Sequence, residues 1–338
     1  MQSLTKNRKY AILQNPGHNR VYFKTARALA LLELEYAGAF AEPHEEIIGG
    51  LAYILFETDA PADMLLLSRL SFTYGIFEWD GKVLLPLKKD ASYFFENDDI
   101  TSILKYNGKT NELFTRMLLN ISVACGGFGL TDRLSVLDPL CGKGTTLYEA
   151  LLCGYNAAGV ETDSKILAEA STFLKRYLET ARCKHTLHQE RQGMKGYTAH
   201  RHQFKLSRGK TDTPIEAELI SGDTRDVSSF FRKSSFDIIL GDLPYGVQHG
   251  SKSSKSGKNS PSRNALPLLT EALPSWHKAL KPGGVLTLAW NLFLIERAEM
   301  ENALTAGGFA LSAPQGSTAF VHRVDQAINR DVIIAKKI

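Results

Sequence analysis

The sequence predicts two units. A smaller N-terminal α+β unit occupies residues 1–100. A doubly wound α/β unit follows over residues 101–338, built on a mostly parallel sheet of seven strands with helices on both faces. Three observations predict this. From residue 109 onward, short apolar runs of strand type alternate with amphipathic helical stretches. The stretches between them are mostly too short to hold anything but turns, as in strand–helix–strand crossovers. And 338 residues, 43% apolar and 22% charged, suffice for two ordinary globular cores.

The elements follow in order. Residues 10–13 and 21–23 read as strands. Residues 25–37 read as a helix that places Ala28, Leu31, Leu32 and Tyr36 on one face. Residues 46–57 read as a strand interrupted by Gly49-Gly50. Residues 62–70 read as a helix leading into a strand over 72–79. This is an α+β module of about ninety residues, with room for a ferredoxin-like fold, and the polar stretch 88–108 links it to the second unit. In that unit, strands are expected at 135–137, 157–160, 217–220, 236–240, 285–290, 309–312 and 331–336. Helices are expected at 111–123, 145–152, 164–180, 227–232, 266–280 and 294–306. In such sheets ligands bind beyond the carboxyl ends of the strands, so the loops after strands are where chemistry is expected.

Composition narrows the setting. No run of about eighteen apolar residues suggests a membrane helix, and the N-terminus lacks the apolar core of a signal sequence. Cys125, Cys141, Cys153 and Cys183 are scattered without a CxxC, which fits free thiols in the cytoplasm. The net charge is +4, but its distribution says more. Residues 182–210 hold eight Lys or Arg, four of the nine histidines and one acid, Glu190. Such a cluster is either a solvated insertion or the footprint of a nucleic-acid partner. The spacing of His185, His188, His200 and His202 matches no metal site, and no metal is expected.

The first informative loop is "SVLDPLCGKGTTLYEALLCGYNAAGVETD", residues 135–163: strand, Gly-rich turn, helix, strand, acid. Gly142 and Gly144 allow a tight turn and close approach of a ligand to the backbone. Glu161, nineteen residues after Gly142, can accept from two ribose hydroxyls. The turn is not G-x-G-x-x-G, and Asp138 ahead of the glycines would repel a pyrophosphate. It is not a phosphate-binding P-loop either, because Thr145 follows Gly144 where a lysine is required. An acid at Asp138 suits a cationic amino-acid moiety. Blander roles compete: Asp163 and Thr145 as helix caps, Cys141 and Lys143 as turn filler, Asp223 as a cap rather than an acceptor for an adenine amine.

The second informative loop is "FDIILGDLPYGVQHG", residues 236–250. An exocyclic purine amine is a poor nucleophile because its lone pair is delocalised into the ring. Two acceptors on its hydrogens, Asp242 and the Leu243 carbonyl, would hold it in line. Pro244 fixes the turn and Tyr245 can stack on the base.

Together, Asp138-Pro139 through Gly144-Thr145 and Asp242 through Gly246, about one hundred residues apart, resemble the S-adenosylmethionine-dependent tRNA guanosine-N2 methyltransferases related to the archaeal and eukaryotic enzymes that modify position 10. The likeness covers about residues 105–338 well and residues 1–100 only loosely. It implies a Rossmann-like class I methyltransferase domain with S-adenosylmethionine as cofactor, and the product S-adenosylhomocysteine. It implies catalytic positions at Asp242, Leu243, Pro244 and Tyr245. Cofactor positions are implied at Asn111, Phe114, Asp138, Cys141, Gly142, Gly144, Thr145, Glu161, Thr162, Asp223, Thr224 and Asp242. Asn111 and Phe114 lie in "GKTNELFTRMLLN", where the family places a helix beside the cofactor's methionine end. The family's N-terminal part binds RNA, often through a THUMP domain, for which residues 1–100 leave little room. Its eukaryotic members need a small partner subunit. Related DNA adenine enzymes usually open the second motif with Asn and often carry a recognition domain after the catalytic one, so Asp242 favours RNA. A ribosomal RNA enzyme and a non-catalytic RNA-binding factor are the other readings. Two basic stretches are expected to hold RNA: residues 182–210, with Arg201, Lys205, Arg208 and Lys210, and "HGSKSSKSGKNSPSR" at 249–263. "VHRVDQAINRD", 321–331, also resembles a family segment, with no physical role evident from the sequence.

Overall fold

The computed structural model describes residues 8–15, 20–38, 40–90, 92–105, 109–209, 213–244, 265–313 and 316–338. Tyr245, Gly246, Lys210 and the basic stretch 249–263 lie outside the described residues.

The N-terminal part is a five-stranded antiparallel sheet with two helices. In chain order it holds β1 (Arg8–Gln14), α1 (Arg20–Ala37), β2 (Ala41–Ile48), β3 (Leu51–Thr58), α2 (Met64–Arg69), β4 (Thr73–Trp79) and β5 (Leu84–Leu87). The strand order β2-β3-β1-β4, extended by β5, is a split β-α-β arrangement. Residues 21–23, expected as a strand, are the first turn of α1. Residues 46–57 are not one interrupted strand: Gly49 and Gly50, at φ +58° and +83°, make the two-residue turn of the β2–β3 hairpin.

The second part holds α3 (Glu112–Gly126), β6 (Ser135–Asp138), α4 (Thr145–Leu152), β7 (Asn156–Glu161), α5 (Ser164–Thr180), β8 (Lys184–Met194), β9 (Tyr197–Ser207), β10 (Ile215–Ser221), α6 (Val227–Phe230), β11 (Phe236–Asp242), α7 (Leu266–Ala279), β12 (Leu280–Asn291), α8 (Arg297–Ala306), β13 (Phe309–Leu311), β14 (His322–Arg323) and β15 (Asn329–Lys337). The sheet order is β13-β15-β12-β11-β6-β7-β10-β9-β8, with β14 paired to β15. The five central strands, β12, β11, β6, β7 and β10, are parallel. Their apolar runs are buried on both faces. Ile238 and Leu240 enter the core under α3, α4 and α5. Ile239, between them, enters the opposite core with α7 and α8.

Two expectations need correction. The sheet has more than seven strands, because the basic stretch 182–210 forms the hairpin β8–β9 and β14 adds a short strand. Charged side chains on a half-exposed edge hide the period-2 pattern of β8. And residues 88–108 are not simply a polar linker. Phe95 and Ile100 are buried in the core that α4 and α5 cover, the Phe94 N–H donates to the Leu152 carbonyl at 2.7 Å, and the Tyr177 hydroxyl donates to Asp99 at 2.7 Å.

The two parts meet at α1 and α3. Glu33 of α1 is fully buried and accepts from Asn120 Nδ2 at 2.7 Å and from the Ser71 N–H and hydroxyl. Asn120 also donates to the Arg69 carbonyl at 2.9 Å. Burial pushes the Glu33 carboxyl up, and these donors partly offset it. Asn120→Ala would remove one partner of a buried carboxylate and is expected to cost about 2–3 kcal/mol in urea unfolding; a change below about half a kcal/mol would show that the contact carries no stability.

Candidate active site

Four parallel strands end in acids at one edge of the sheet: β6 in Asp138, β7 in Glu161, β10 just before Asp223, and β11 in Asp242. That placement follows from the topology, since β7, β6 and β11 are adjacent and in parallel register.

The turn after β6 is shaped by glycine. Gly142 has φ +51° and Gly144 φ +92°. A Cβ on Gly144 would come 3.1 Å from the Tyr148 ring, whereas the space beside Gly142 is open. The Gly142 N–H donates to Glu161 Oε2 at 3.1 Å, while Glu161 Oε1 accepts from the Asp163 N–H at 2.8 Å. The turn is thus stitched to the tip of β7. Cys141 is buried, and its N–H donates to the Val160 carbonyl at 3.0 Å. Its Sγ lies so near β7 that a Cβ on Gly159 would come within 2.7 Å of it. Asp138, 5% exposed, accepts from the Leu140 N–H at 3.0 Å and from the Thr146 side chain. Burial pushes its carboxyl up to about 7, with Asp242 and Glu161 adding to the shift and the hydrogen bonds opposing it. Burial also raises Glu161.

The remaining expected residues divide. Asp163 caps α5, accepting from the Lys165 N–H at 2.8 Å. Asn111 caps α3, accepting from the Leu113 and Phe114 N–H groups at 2.9 and 3.1 Å. Thr145 is the buried first residue of α4. Thr162 donates to the Gly222 carbonyl at 3.2 Å. Thr224 is buried, and its hydroxyl and carbonyl accept from the Trp276 indole at 3.0 and 3.2 Å. Asp223 caps the turn before α6, and both its oxygens take the Arg225 guanidinium, at 2.9 and 2.6 Å. Burial would raise its carboxyl, but Arg225 holds it below the usual range.

Asp242 is the last residue of β11, and the Leu243 N–H continues the ladder to the Ala289 carbonyl at 2.9 Å. The Thr110 hydroxyl donates to Asp242 Oδ2 at 2.8 Å, and the Arg330 guanidinium lies 3.7 Å from the same oxygen. Arg330 is 4% exposed, and its guanidinium carbon sits 4.4 Å above the centre of the Phe114 ring. The His322 ring is tilted against Phe114, with ring centroids 5.3 Å apart. Burial, with the nearby Arg330 charge, lowers His322 to about 4, against the opposing hydrogen bond of the Phe320 carbonyl.

Thr110, His322 and Arg330 are neighbours of this strand tip that residue-by-residue reading missed. All three lie in segments singled out from the sequence, "GKTNELF" and "VHRVDQAINRD". Only the antiparallel pairing of β15 with β12 brings the second segment to the tip of β11.

Chemically, this edge carries acceptors converging from four strands and a glycine turn with open space beside it. The set fits a cationic ligand bearing hydroxyls and an amine, as S-adenosylmethionine does, and disfavours a pyrophosphate.

A family match agrees with this chemistry. Residues 110–259 match the RMKL-like methyltransferase domain of the family UPF0020. A curated protein of Methanothermobacter thermautotrophicus, described as tRNA (guanine(10)-N2)-dimethyltransferase, is 27% identical over 184 residues, 54% of this chain and 39% of that protein. The chain therefore spans about two fifths of the length of that relative. Among solved structures, TrmN from Thermus thermophilus aligns over 98% of this chain and all of its own, with 14% identity and a TM-score of 0.49. A putative RNA methyltransferase from Pyrococcus horikoshii aligns over 71% of this chain and 96% of its own, with 17% identity and a TM-score of 0.40.

The raised carboxyl of Asp138 has a sign. Its folded value of about 7 lies above the unfolded 3.8, so its share of stability is full below pH 4 and is lost as pH rises through 7. Thermal melts of the ligand-free chain should therefore fall less steeply between pH 5 and 7.5 in Asp138→Asn than in the original; parallel slopes would contradict it.

Proposed function

We propose, for a chain whose residues 110–259 carry a methyltransferase domain of the RMKL-like family, that it transfers a methyl group from S-adenosylmethionine to the exocyclic N2 amine of guanosine in structured RNA, with tRNA as the substrate and the cytoplasm as its place. Among the described residues no helix is long and apolar enough to cross a membrane. The observation that carries the reading is the tip of β11. It delivers Asp242-Leu243-Pro244 to the ligand edge with the carboxylate gripped through Oδ2 by Thr110 and Arg330. The choice of guanine N2 and of tRNA is supported by the activity named for the curated relative and by an acid, rather than an amide, at the head of the motif.

In this reading Asp138 meets the cofactor's ammonium, Glu161 its ribose hydroxyls and Asp223 its adenine amine. Asn111, Phe114, Cys141, Gly142, Gly144, Thr145, Thr162 and Thr224 build or back the walls. S-adenosylmethionine supplies, when bound, an electrophilic methyl on a sulfonium. The rest belongs to the protein. Asp242 Oδ1 and the Leu243 carbonyl accept the two amine hydrogens, so the nitrogen leaves the ring plane and its lone pair points outward. The positive charge that grows on nitrogen meets an acceptor already oriented by Thr110 and Arg330, and Asp242 takes the departing proton. Tyr245 stacks on the base, and residues 1–100 serve as the RNA-binding module.

Asp242→Ala is expected to lower methyl transfer to tRNA about 100- to 1000-fold at saturating S-adenosylmethionine. Transfer at the original rate would sink the assignment. Nucleoside mass spectrometry of tRNA from a deletion strain should lack one N2-methylated guanosine signal; an unchanged tRNA profile with a loss in ribosomal RNA or DNA would move the substrate there.

A further inference from the structure

The β8–β9 hairpin has no part in the methyl-transfer site, yet its geometry places it beside that site. β9 pairs with β10 from Leu206↔Ile215 to His200↔Ser221, so this ladder ends at the carboxyl edge of the sheet. The hairpin continues past that edge. Residues 197–199 pair only with β8, at Gln192↔Ala199, Gly193↔Thr198 and Met194↔Tyr197, and the chain turns at Lys195-Gly196. At about 3.4 Å per residue, the overhang is about 10 Å long. Its strands β9 and β8 stand four and five places from β11, about 19 and 24 Å along the edge at ordinary strand spacing.

The overhang is braced against the loop after β10. The Tyr197 hydroxyl donates to Asp226 Oδ2 at 2.7 Å and accepts from the Asp223 N–H at 3.3 Å. Gln192 Nε2 donates to the Ser229 carbonyl at 3.4 Å. Two of the hairpin's cations are paired on the sheet itself: Arg201 lies 2.9 Å from Glu218 and 3.5 Å from Glu190, and Lys205 lies 3.3 Å from Glu216. At the edge and beyond it, Arg191 and Lys195 are exposed and form no ion pair among the described residues. This reverses the emphasis of the sequence, which points to Arg201 and Lys205.

We infer that this overhang is an arm for the RNA phosphate backbone, with Arg191 and Lys195 each meeting a phosphate. The inference rests on RNA being the substrate. At about 19 to 24 Å from Asp242 the arm is too far for the target nucleotide and sits over the backbone of the flanking stem. Phosphate contacts fix register without reading sequence, so the arm would set how the RNA lies across the edge while the β11 tip reads the base. Its bracing to Asp223 and Asp226 means that it holds its position before RNA arrives.

The test uses the full chain, a tRNA transcript and the double variant Arg191→Gln/Lys195→Gln. The dissociation constant for tRNA should rise about tenfold, and the slope of its logarithm against log salt should fall by about 1.5. S-adenosylmethionine affinity and the melting temperature should stay unchanged, because both side chains are exposed. If the original chain methylates tRNA and the variant matches it in affinity and salt slope, the arm is overturned alone. If the original chain modifies no tRNA, the underlying reading of the substrate fails first.

Discussion

Helix α3 carries a row of buried polar side chains, and most of the molecule is hung from them. Arg116 forms a buried ion pair with Glu149 of α4 at 3.0 Å, Asn120 joins Glu33 to the backbone at Arg69, and Ser122 shares a hydrogen bond with Thr287 of β12 at 2.7 Å. Two residues before Arg116, Phe114 lies beneath Arg330. A buried polar group without its partner is costly, so each contact admits one placement of α3 and penalises the rest. The N-terminal sheet, the Gly-rich turn on α4, the central strands and the last hairpin are indexed to one another through this helix. Arg116 itself keeps its charge: burial opposes it, but Glu149 and its hydrogen bond outweigh that cost.

The site depends on this indexing because its charges repel. Asp138, Glu161 and Asp242 converge: burial is the main cause of the raised Asp138 carboxyl, and the other two acids add to it. Left to themselves, such groups would spread or take up protons. Here Thr110 comes from just before α3 and Arg330 from β15, and both reach Asp242 Oδ2. The cation in turn lies over the ring of Phe114. The carboxylate at the β11 tip is therefore held in one orientation by groups from two distant segments.

The sequence made the central sheet legible because parallel strands buried on both faces are nearly continuous apolar runs. Residues 164–180 were readable as a helix to the residue, since Asp163 caps its start. The edges were not. In β8 each exposed charge breaks the alternation, and residues 21–23 carry a strand's composition inside the first turn of α1. The same division holds at the site. Asp138, Glu161 and Asp242 were readable because each stands at the end of its strand. Arg330 was not, because its role needs a contact between residues about ninety positions apart. Asp223 shows the limit of a residue-type argument: at a strand tip it also takes the bidentate grip of Arg225.

The hairpin β8–β9 also decides how the sheet stops. Eleven residues of β8 present their outer backbone groups to solvent, a template on which another copy could add a strand. Lys184, His188, Glu190 and Arg191 are exposed along this strand, three of them basic or able to become so. Two such edges brought together would oppose like charges at close range and desolvate them. The basic margin thus acts as a guard on colloidal behaviour, keeping a long open sheet from growing by self-association.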